Sequence, residues 1–328
     1  MEAGEQITFP GCDVPTAPLG VGCWAWGDKS TWGMGGYDAS LTEDSIAEAW
    51  EASAEAGVTL FDTAEIYGSG KSEQIIGRLL ARDPGRRASL VLATKFMPMP
   101  YKVNVTTALR HALEGSIERL GVDHVDLYQI HGPISLRGHG AMADALAAVH
   151  EAGLTRAVGV SNYSIREMER IHAALAERNV PLASNQVEYS LVRTRPELSG
   201  LLAACQRLGV ILLAYSPIGM GRLTGKYSAA NPPPGKRASV NPPMEQVDGV
   251  VEVLRRLGSD HGRTPSQVAL RWLIDKGTVP IPGAKNGEQA RQNAGALGWS
   301  LSADEVAELD RVAIDPKPSL QNRVWQHG

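Results

Sequence analysis

Two kinds of segment alternate along the chain. Short runs rich in Val, Ile and Leu are each followed by a longer stretch in which apolar residues recur with the period of a helix. The predicted strands are residues 18–24, 58–62, 89–95, 125–130, 156–160, 182–187, 210–214 and 279–281. The predicted helices of the same eight units are residues 42–56, 71–82, 105–120, 141–152, 165–178, 197–208, 265–276 and 288–294.

Glycine residues follow several of the predicted helices, just before the next strand begins. Because glycine tolerates the left-handed conformation that ends a helix, these residues are stop signals. They are Gly57, Gly121, Gly153, Gly209 and Gly277. Strands that are apolar throughout fit a parallel sheet covered on both faces. The eight units therefore predict an α/β fold, a closed (β/α)8 TIM barrel, and the missing GxGxxG motif disfavours an open doubly wound sheet.

Three segments lie outside the eight units. Residues 1–17 form an N-terminal extension that we expect to close the bottom of the barrel. Residues 219–243 form a long, proline-rich loop after strand 7, which either folds over the C-terminal face or is mobile. Additional helices are predicted at residues 244–261 and 302–313, the second one opened by a capping box.

No composition shift or linker divides the chain, so we predict one domain over residues 1–328, ending in a tail at 315–328. Hydrophobic residues make up 43% and charged residues 21% of the 328, as in soluble globular proteins. The net charge is −4, and neither a basic face nor a polybasic run indicates binding to nucleic acid or to a membrane. No apolar run reaches the roughly 18 residues of a membrane span.

The cysteines and the N-terminus indicate the compartment. Cys12, Cys23 and Cys205 have no CxxC spacing, which argues against a disulfide framework and against a zinc site. A signal peptide begins with a positive region followed by an apolar stretch, and the first residues contain neither. We therefore expect a cytoplasmic protein without a zinc site.

Polar side chains are predicted at three adjacent strand ends, where the active sites of such barrels lie. Asp62 ends the second strand and Tyr67 lies in the loop after it, while Lys95 ends the third strand and His131 the fourth. Lys95 close to Tyr67 would favour the phenolate and lower the tyrosine pKa from about 10 toward working pH. Asp62 would hold Lys95, and His131 would donate a hydrogen bond to a substrate oxygen.

Each of these four residues also has a structural interpretation, as a helix cap, a solvated lysine, a core histidine or a wall tyrosine. Four such coincidences on adjacent strand ends are much less probable than one. We therefore interpret Asp62, Tyr67, Lys95 and His131, called the tetrad below, as a catalytic group. Together they would polarise a carbonyl group and protonate its oxygen as a hydride arrives at the carbon.

At this point the chain resembles the aldo-keto reductase family, over about residues 18–312. The matching stretches occur in the order of the family: Gly20-Val-Gly-Cys-Trp24, Phe61-Asp-Thr-Ala-Glu-Ile-Tyr67, Ala93-Thr-Lys95, Leu127-Tyr-Gln-Ile-His131, Gly159-Val-Ser-Asn162, Asn185-Gln-Val-Glu-Tyr189, Ala214-Tyr-Ser-Pro217, Leu223-Thr-Gly-Lys226 and Ile281-Pro-Gly-Ala-Lys285. The first loop and the residues before Trp299 resemble a bacterial and plastid branch that includes pyridoxal reductases. The resemblance implies reduction of an aldehyde or ketone by NADPH, without metal, with Tyr67 as the proton donor.

The resemblance also implies a cofactor site. Ser161, Asn162 and Gln186 match positions that bind the nicotinamide carboxamide, whose donor and acceptor suit Asn and Gln. Tyr215 matches the residue that stacks on the nicotinamide ring. The pyrophosphate loop is matched by Ser216, Gly219, Gly221 and Leu223, where small residues let backbone N–H groups approach a phosphate. The remaining cofactor contacts are expected nearer the strands. They are Gly22, Cys23, Trp24, Asp62, Pro217 and Lys226.

The adenosine end of the cofactor is predicted at the last strand. Gly283, Ala284 and Lys285 precede a helix N-terminus, a favourable anion site, and Lys285 suits the 2′-phosphate of NADPH. Gln289 departs from the arginine of many family members, which leaves NADH open as an alternative cofactor. The adenine positions are matched by Gln292 and Asn293.

The substrate pocket is expected to be apolar with one polar focus, which suits a small aromatic or heteroaromatic carbonyl compound. We predict its walls to be Trp24, Trp26, Phe96 and Met97. Trp32 and Tyr37 either join these walls or pack their own loop down. The oligomeric state is not readable from the sequence.

Two other functions remain open from the sequence. A regulatory or slow-turnover protein on the same fold would bind the cofactor without efficient catalysis, although the complete tetrad favours an enzyme. A lyase or isomerase on an unrelated (β/α)8 barrel would bind no nicotinamide cofactor at all.

Overall fold

Eight parallel strands in sequence order form the centre of the computed structural model, which describes residues 5–27, 41–234, 242–316 and 325–328. The amide of Gly22 donates to the carbonyl of Pro282 at 3.0 Å, which joins the first strand to the segment just after the last one. This (β/α)8 arrangement confirms the predicted TIM barrel. The strands are Gly20–Gly22 (β1), Leu60–Asp62 (β2), Val91–Phe96 (β3), Val125–Ile130 (β4), Thr155–Ser161 (β5), Leu182–Glu188 (β6), Ile211–Tyr215 (β7) and Val279–Pro280 (β8).

Helices surround the barrel and bury their apolar faces against the outward side chains of the strands. Their bounds are Trp24–Gly27 (α1), Glu43–Glu55 (α2), Lys71–Arg82 (α3), Val105–Leu120 (α4), His139–Glu151 (α5), Ile165–Ala176 (α6), Arg195–Leu198 (α7), Leu201–Leu208 (α8), Met244–His261 (α9), Pro265–Asp275 (α10), Gly287–Ala294 (α11) and Ala303–Val312 (α12). In the described ranges, no helix combines the length and the apolar character that crossing a membrane requires.

Most predicted elements are confirmed with ends that differ by at most two residues, and two findings correct the prediction. The helix predicted over residues 197–208 is wrong, because it is divided into α7 and α8 at Gly200, whose φ of 81° no right-handed helix accommodates. The short helix α1 at the end of β1 was not predicted. The five glycines predicted to end helices all have positive φ.

The N-terminal extension closes the bottom of the barrel, as predicted, in its described part. Phe9 and Cys12 are buried and pack in one cluster with Leu60 and Val91, the first residues of β2 and β3. A bridge between Ile7 and Thr16 folds the extension on itself. These apolar contacts separate the lower end of the barrel interior from solvent.

The register of the strands sets which side chains are neighbours at the upper end. Lys95 on β3 pairs with Gln129 on β4, and Ser161 on β5 pairs with Gln186 on β6. Of the long loop after β7, residues 219–224 form tight 3-10 turns, and residues 235–241 lie outside the described residues. Predicted polar residues from strands far apart in sequence thus reach the same end of the barrel.

Candidate active site

Lys95 is the centre of the polar group at the upper end of the barrel. Its side chain is fully buried, and its Nζ donates to Asp62 Oδ2 at 2.5 Å and to the carbonyl of Thr63 at 2.8 Å. The third contact, at 3.3 Å, is with the hydroxyl of Tyr67. An ammonium group has three donors, so all three are used here. The structure therefore brings the predicted carboxylate, lysine and phenol together.

Backbone packing fixes the loop that carries Tyr67. Gly68 has a φ of 58°, and a Cβ built on it would lie 1.9 Å from the carbonyl oxygen of Gly27 at the end of α1. Only glycine permits so close an approach of two backbones. Below it, Ser72 receives a hydrogen bond from Thr63 and donates to the carbonyl of Cys23, which ties α3 to the ends of β1 and β2.

The carboxylate of Asp62 is held on its second oxygen by two amides. Gln186 Nε2 donates to Oδ1 at 2.8 Å, and Gln129 Nε2 donates to the same atom at 3.2 Å. Gln129 was missed in the sequence, although a signal existed. It lies two residues before His131 on one strand, and alternation of side chains puts both on the inner face. With Lys95, these donors satisfy a buried charge that would otherwise be costly.

The electrostatic prediction for Tyr67 is wrong in its net direction. Burial raises the pKa of the Tyr67 hydroxyl, Lys95 lowers it, and Asp62 raises it again, so that it lies above the ordinary value. Burial lowers the pKa of the Lys95 ammonium, but the neighbouring Asp62 carboxylate and Tyr67 raise it above the ordinary value. The stable arrangement is therefore a protonated phenol beside a charged lysine.

His131 lies beside Tyr67, with the two rings edge to face and their centroids 5.6 Å apart. Burial lowers the pKa of His131 well below its usual range, and the positive charge of Lys95 lowers it further. Its Nδ1 is buried and has no hydrogen-bond partner among the described residues. The imidazole is thus neutral and can donate one hydrogen bond.

The predicted carboxamide-binding residues lie at the ends of β5 and β6. Ser161 donates to the carbonyl of Gln186, and Asn162 adopts a left-handed conformation with φ of 64°. The amide of Asn162 donates to the carbonyl of His131 at 3.3 Å and accepts from the hydroxyl of Tyr215 at 3.0 Å. Asn162 also donates to Ser161, so these five residues form one network that extends from the end of β4 to β7 and includes His131 of the tetrad.

The predicted pyrophosphate loop differs from expectation in its donors. The amides of Gly219, Gly221 and Leu223 all donate to carbonyls within the loop, at distances from 2.9 to 3.3 Å. They are therefore not arranged to face a phosphate. Ser216 has a φ of 51° and Pro217 is buried, so the turn after β7 is tightly constrained.

Two basic side chains lie in or near this loop. Lys226 is exposed, with its ammonium 5.7 Å from the ring centroid of Tyr227. Arg222 was not predicted, and it is buried, donating to the carbonyls of Gly219 and Pro242. This region therefore offers one exposed ammonium group and one buried guanidinium group.

The segment before α11 is held by side chains that the sequence assigned to the cofactor. Gln289 accepts from the amide of Lys285 at 3.1 Å, and Asn293 donates to the carbonyl of Gly283. Gln292 donates to Glu288 on the exposed face of the same helix. Gln289 and Asn293 therefore shape the loop that carries Lys285, while Gln292 makes a contact within the helix.

Two predicted substrate-pocket residues belong to the core instead. Trp26 is buried, packs against Phe61 and donates its indole N–H to the carbonyl of Ala284 at 2.7 Å. Phe96 is fully buried in the same core cluster. Both rings bury a large apolar surface, and the indole N–H has a hydrogen-bond partner, so packing in the core accounts for both residues. Trp32 and Tyr37 lie outside the described residues.

The remaining predicted residues lie around the end of β1 and of β3. Trp24 is partly buried and packs against the core, and Met97 is buried with its amide donating to Glu65 at 2.7 Å. Gly22 joins β1 to the segment after β8, as described above. Cys23 is fully buried, and burial raises the pKa of its thiol well above the usual value. Trp24 and Met97 remain the candidates for substrate contact.

Further charged residues near the site were missed by sequence reasoning. Glu188 ends β6 two residues after Gln186, so alternation could have placed it on the same face. Its pKa is raised by burial in spite of Arg193, whose Nε lies 3.8 Å from the carboxylate. Gln326, close to the C-terminus, donates to Glu188 at 2.9 Å. No periodic pattern in the tail predicts this contact.

Across the described ranges, no group of His, Cys, Asp and Glu is suited to hold a metal.

Comparisons with known proteins agree with this geometry. The sequence profile of the Aldo/keto reductase family matches residues 18–314. A chloroplastic pyridoxal reductase from Arabidopsis thaliana is 37% identical over 321 residues, which is 94% of this chain and 87% of that protein.

Solved structures with the same fold extend over nearly the whole chain. A glycerol dehydrogenase from Gluconobacter oxydans superposes with a TM-score of 0.80 at 27% identity, covering 94% of both chains. An aldo/keto reductase from Klebsiella pneumoniae, crystallised with NADP and acetate, gives a TM-score of 0.74 at 26% identity, covering 97% of this chain and 98% of that one. The profile match and the identity to the plant enzyme show that this chain belongs to the aldo/keto reductase family.

Proposed function

We propose that this protein reduces an aldehyde or ketone to the alcohol with NADPH, and that Tyr67 donates the proton. The observation that carries the proposal is the contact of a fully buried lysine, Lys95, with both the Asp62 carboxylate and the Tyr67 hydroxyl. Burying a charge is costly unless it is paired and hydrogen-bonded, and titratable groups with shifted pKa values cluster at functional sites.

Proton transfer from Tyr67 follows from its surroundings. The phenol holds its proton through neutral pH because its pKa is raised. When the proton moves to the carbonyl oxygen, a phenolate is left 3.3 Å from the Lys95 ammonium, which stabilises it. Asp62 keeps that ammonium charged and in position. Lys95 thus stabilises the phenolate that proton transfer leaves behind more than it stabilises the protonated phenol.

His131 orients the carbonyl group. Because its pKa is lowered, the imidazole is neutral and donates a hydrogen bond without giving up a proton. Its ring edge lies beside Tyr67, so that both residues can address one substrate oxygen. Two donors at one oxygen favour the charge that develops there during reduction.

The cofactor fits the groups at the ends of β5 to β7. Asn162, Gln186 and Ser161 supply the amide and hydroxyl groups that a carboxamide requires, and Tyr215 supplies a flat ring beside them. Lys285, before α11, would hold a 2′-phosphate. When bound, the nicotinamide supplies the hydride for the carbonyl carbon. The NADP complex of the Klebsiella pneumoniae relative supports this assignment.

The substrate class follows from the pocket and from a relative. Trp24, partly buried after β1, and Met97, two residues after Lys95, are the apolar candidates for substrate contact, which suits an aromatic or heteroaromatic aldehyde. The similarity to a plant pyridoxal reductase supports a heteroaromatic substrate.

The three cysteines are free and buried, which is in keeping with a cytoplasmic location.

Steady-state oxidation of NADPH with a panel of aldehydes tests the proposal. The panel contains pyridoxal, methylglyoxal and aromatic aldehydes, and NADH is compared with NADPH. We expect turnover that depends on the carbonyl compound and prefers the aromatic or heteroaromatic members. Tight NADPH binding without turnover on any carbonyl would instead favour a regulatory protein, and no binding of either cofactor would favour a lyase or isomerase.

A further inference from the structure

The last four residues of the chain, 325–328, lie across the upper end of the barrel and are called the tail segment here. Trp325 packs against the catalytic histidine, with its ring centroid 5.6 Å from that of His131 and the planes inclined by 61°. Its ring also lies so close to Gly132 that a Cβ built on this glycine would be 3.0 Å from it. The tail segment therefore begins on the carbonyl side of the site.

The next residue reaches the cofactor side. Gln326 Nε2 donates to the hydroxyl of Tyr215 at 2.7 Å and to Glu188 Oε2 at 2.9 Å. Tyr215 is the residue whose ring is assigned to the nicotinamide, and its hydroxyl donates onward to Asn162. Two adjacent residues thus connect the group that orients the substrate with the group that binds the cofactor.

The end of the chain is anchored beyond the strands. The amide of His327 donates to the carbonyl of Asn162 at 3.1 Å, and its Nδ1 lies 2.9 Å from Glu167 Oε1 on α6. Gly328 packs so tightly on Val187 that a Cβ built on it would lie 2.6 Å from Cγ1. All four residues of the tail segment therefore contact the barrel, and the surface that they contact is called the seat below.

We propose that the tail segment is a built-in competitor of the nicotinamide. A ring that stacks on Tyr215 beside the tetrad has to compete with Gln326, which is bonded to the Tyr215 hydroxyl, and with Trp325, which packs on His131. The seated tail segment is the closed form, and cofactor binding selects the form in which it is released. This inference rests on the proposed function, because it assigns the Tyr215 and Asn162 region to the cofactor.

The seat is incomplete, which suits reversible release. The side-chain oxygen Oε1 of Gln326 is buried without a hydrogen-bond partner in the ranges that the structure describes, and so is Nε of Arg193. An unsatisfied buried polar atom costs free energy, so the seated state is only modestly favoured. If the tail segment is seated in about nine molecules of ten, its removal tightens apparent cofactor binding about tenfold.

Calorimetric titration of NADPH into the full chain and into a variant ending at Val324 tests the proposal. We expect the Kd of the shortened protein to fall about tenfold. Gln326→Glu, which places a second carboxylate against Glu188, should release the tail segment and give the same direction of change. Gln246→Glu, an exposed change of equal charge on α9, is the matched control and should leave the Kd unaltered.

Hydrogen exchange gives a readout that does not depend on activity. The amide of His327 should be protected in the full chain, and saturation with NADP⁺ should accelerate its exchange, since its bond to Asn162 is lost. Equal NADPH affinity of full and shortened chains would overturn the inference and leave the proposed function standing. An increase in aldehyde KM alone on shortening would make the tail segment a fixed pocket wall. Absence of NADPH binding in every variant would overturn the proposed function, and the inference with it.

Discussion

Gln186 on β6 donates a 2.8 Å hydrogen bond to Asp62 on β2, across the interior of the barrel. One partner is assigned to the nicotinamide carboxamide, and the other holds the lysine of the tetrad. The two functions therefore share a carboxylate, and the second amide on that oxygen, from Gln129, has no predicted cofactor contact. This arrangement links cofactor binding to the position of Lys95.

Gln186→Leu and Gln129→Leu form a matched pair that tests this link. Each removes one donor from the buried Asp62 carboxylate, so we expect each to lower the free energy of unfolding by about 1–3 kcal/mol. Only Gln186→Leu should also raise the Kd for NADPH, because Gln129 has no predicted cofactor contact. Denaturant unfolding and cofactor titration measure the two effects, and equal changes in Kd would refute the division of roles.

Tyr67→Phe removes the proton donor and keeps the ring. We expect kcat for aldehyde reduction to fall by at least about 10²-fold with little change in the Kd for NADPH. Tyr101→Phe deletes an exposed phenol in the loop after β3 and serves as the control. Full activity of Tyr67→Phe would show that another group supplies the proton.

The pH dependence follows from the shifted pKa values of Tyr67 and His131. The raised pKa of Tyr67 keeps the phenol protonated above its ordinary value, and the lowered pKa of His131 keeps the imidazole neutral in weak acid. For reduction we therefore expect a kcat that is nearly constant from about pH 6 to about pH 9. Alcohol oxidation needs the phenolate, so its rate should rise with pH through this range. A reduction profile that falls off near the ordinary histidine pKa would contradict the assignment.

Lys285→Ala tests recognition of the 2′-phosphate. Its amide donates to Gln289, a backbone contact that the change keeps while it removes the side-chain charge. We expect a higher Kd for NADPH and an unchanged Kd for NADH, measured by fluorescence titration. Lys71→Ala, which breaks a surface ion pair with Glu43, is the control. Equal losses for both cofactors would eliminate the phosphate role.

Trp26→Phe distinguishes core packing from substrate contact. The change removes the hydrogen bond to the Ala284 carbonyl, so we expect a loss of about 1 kcal/mol in stability. The aldehyde KM should stay within about twofold, since the ring packs on Phe61 and not on substrate. A tenfold change in the aldehyde KM with unaltered stability would show that Trp26 contacts the substrate.

Much of this architecture was predictable because local signals and burial agree along the chain. Apolar runs mark each unit, and glycines such as Gly121 and Gly209 follow five of the predicted helices, so the eight units together fit one closed barrel. The tetrad was predictable for the same reason, since each member ends a strand or follows it. The division of the helix at Gly200 was missed because a glycine within a helical pattern is only a weak signal.

The sequence by itself determined the barrel, the family and the residues at the strand ends, because these depend on periodicity and on residue type at fixed positions. Only the tertiary structure decided the direction of the Tyr67 pKa, since burial and two opposite charges compete there and the balance depends on distances. It also decided that Trp26 packs in the core and that Gln326 reaches Tyr215. Such contacts join residues far apart in the chain, and no local pattern records them.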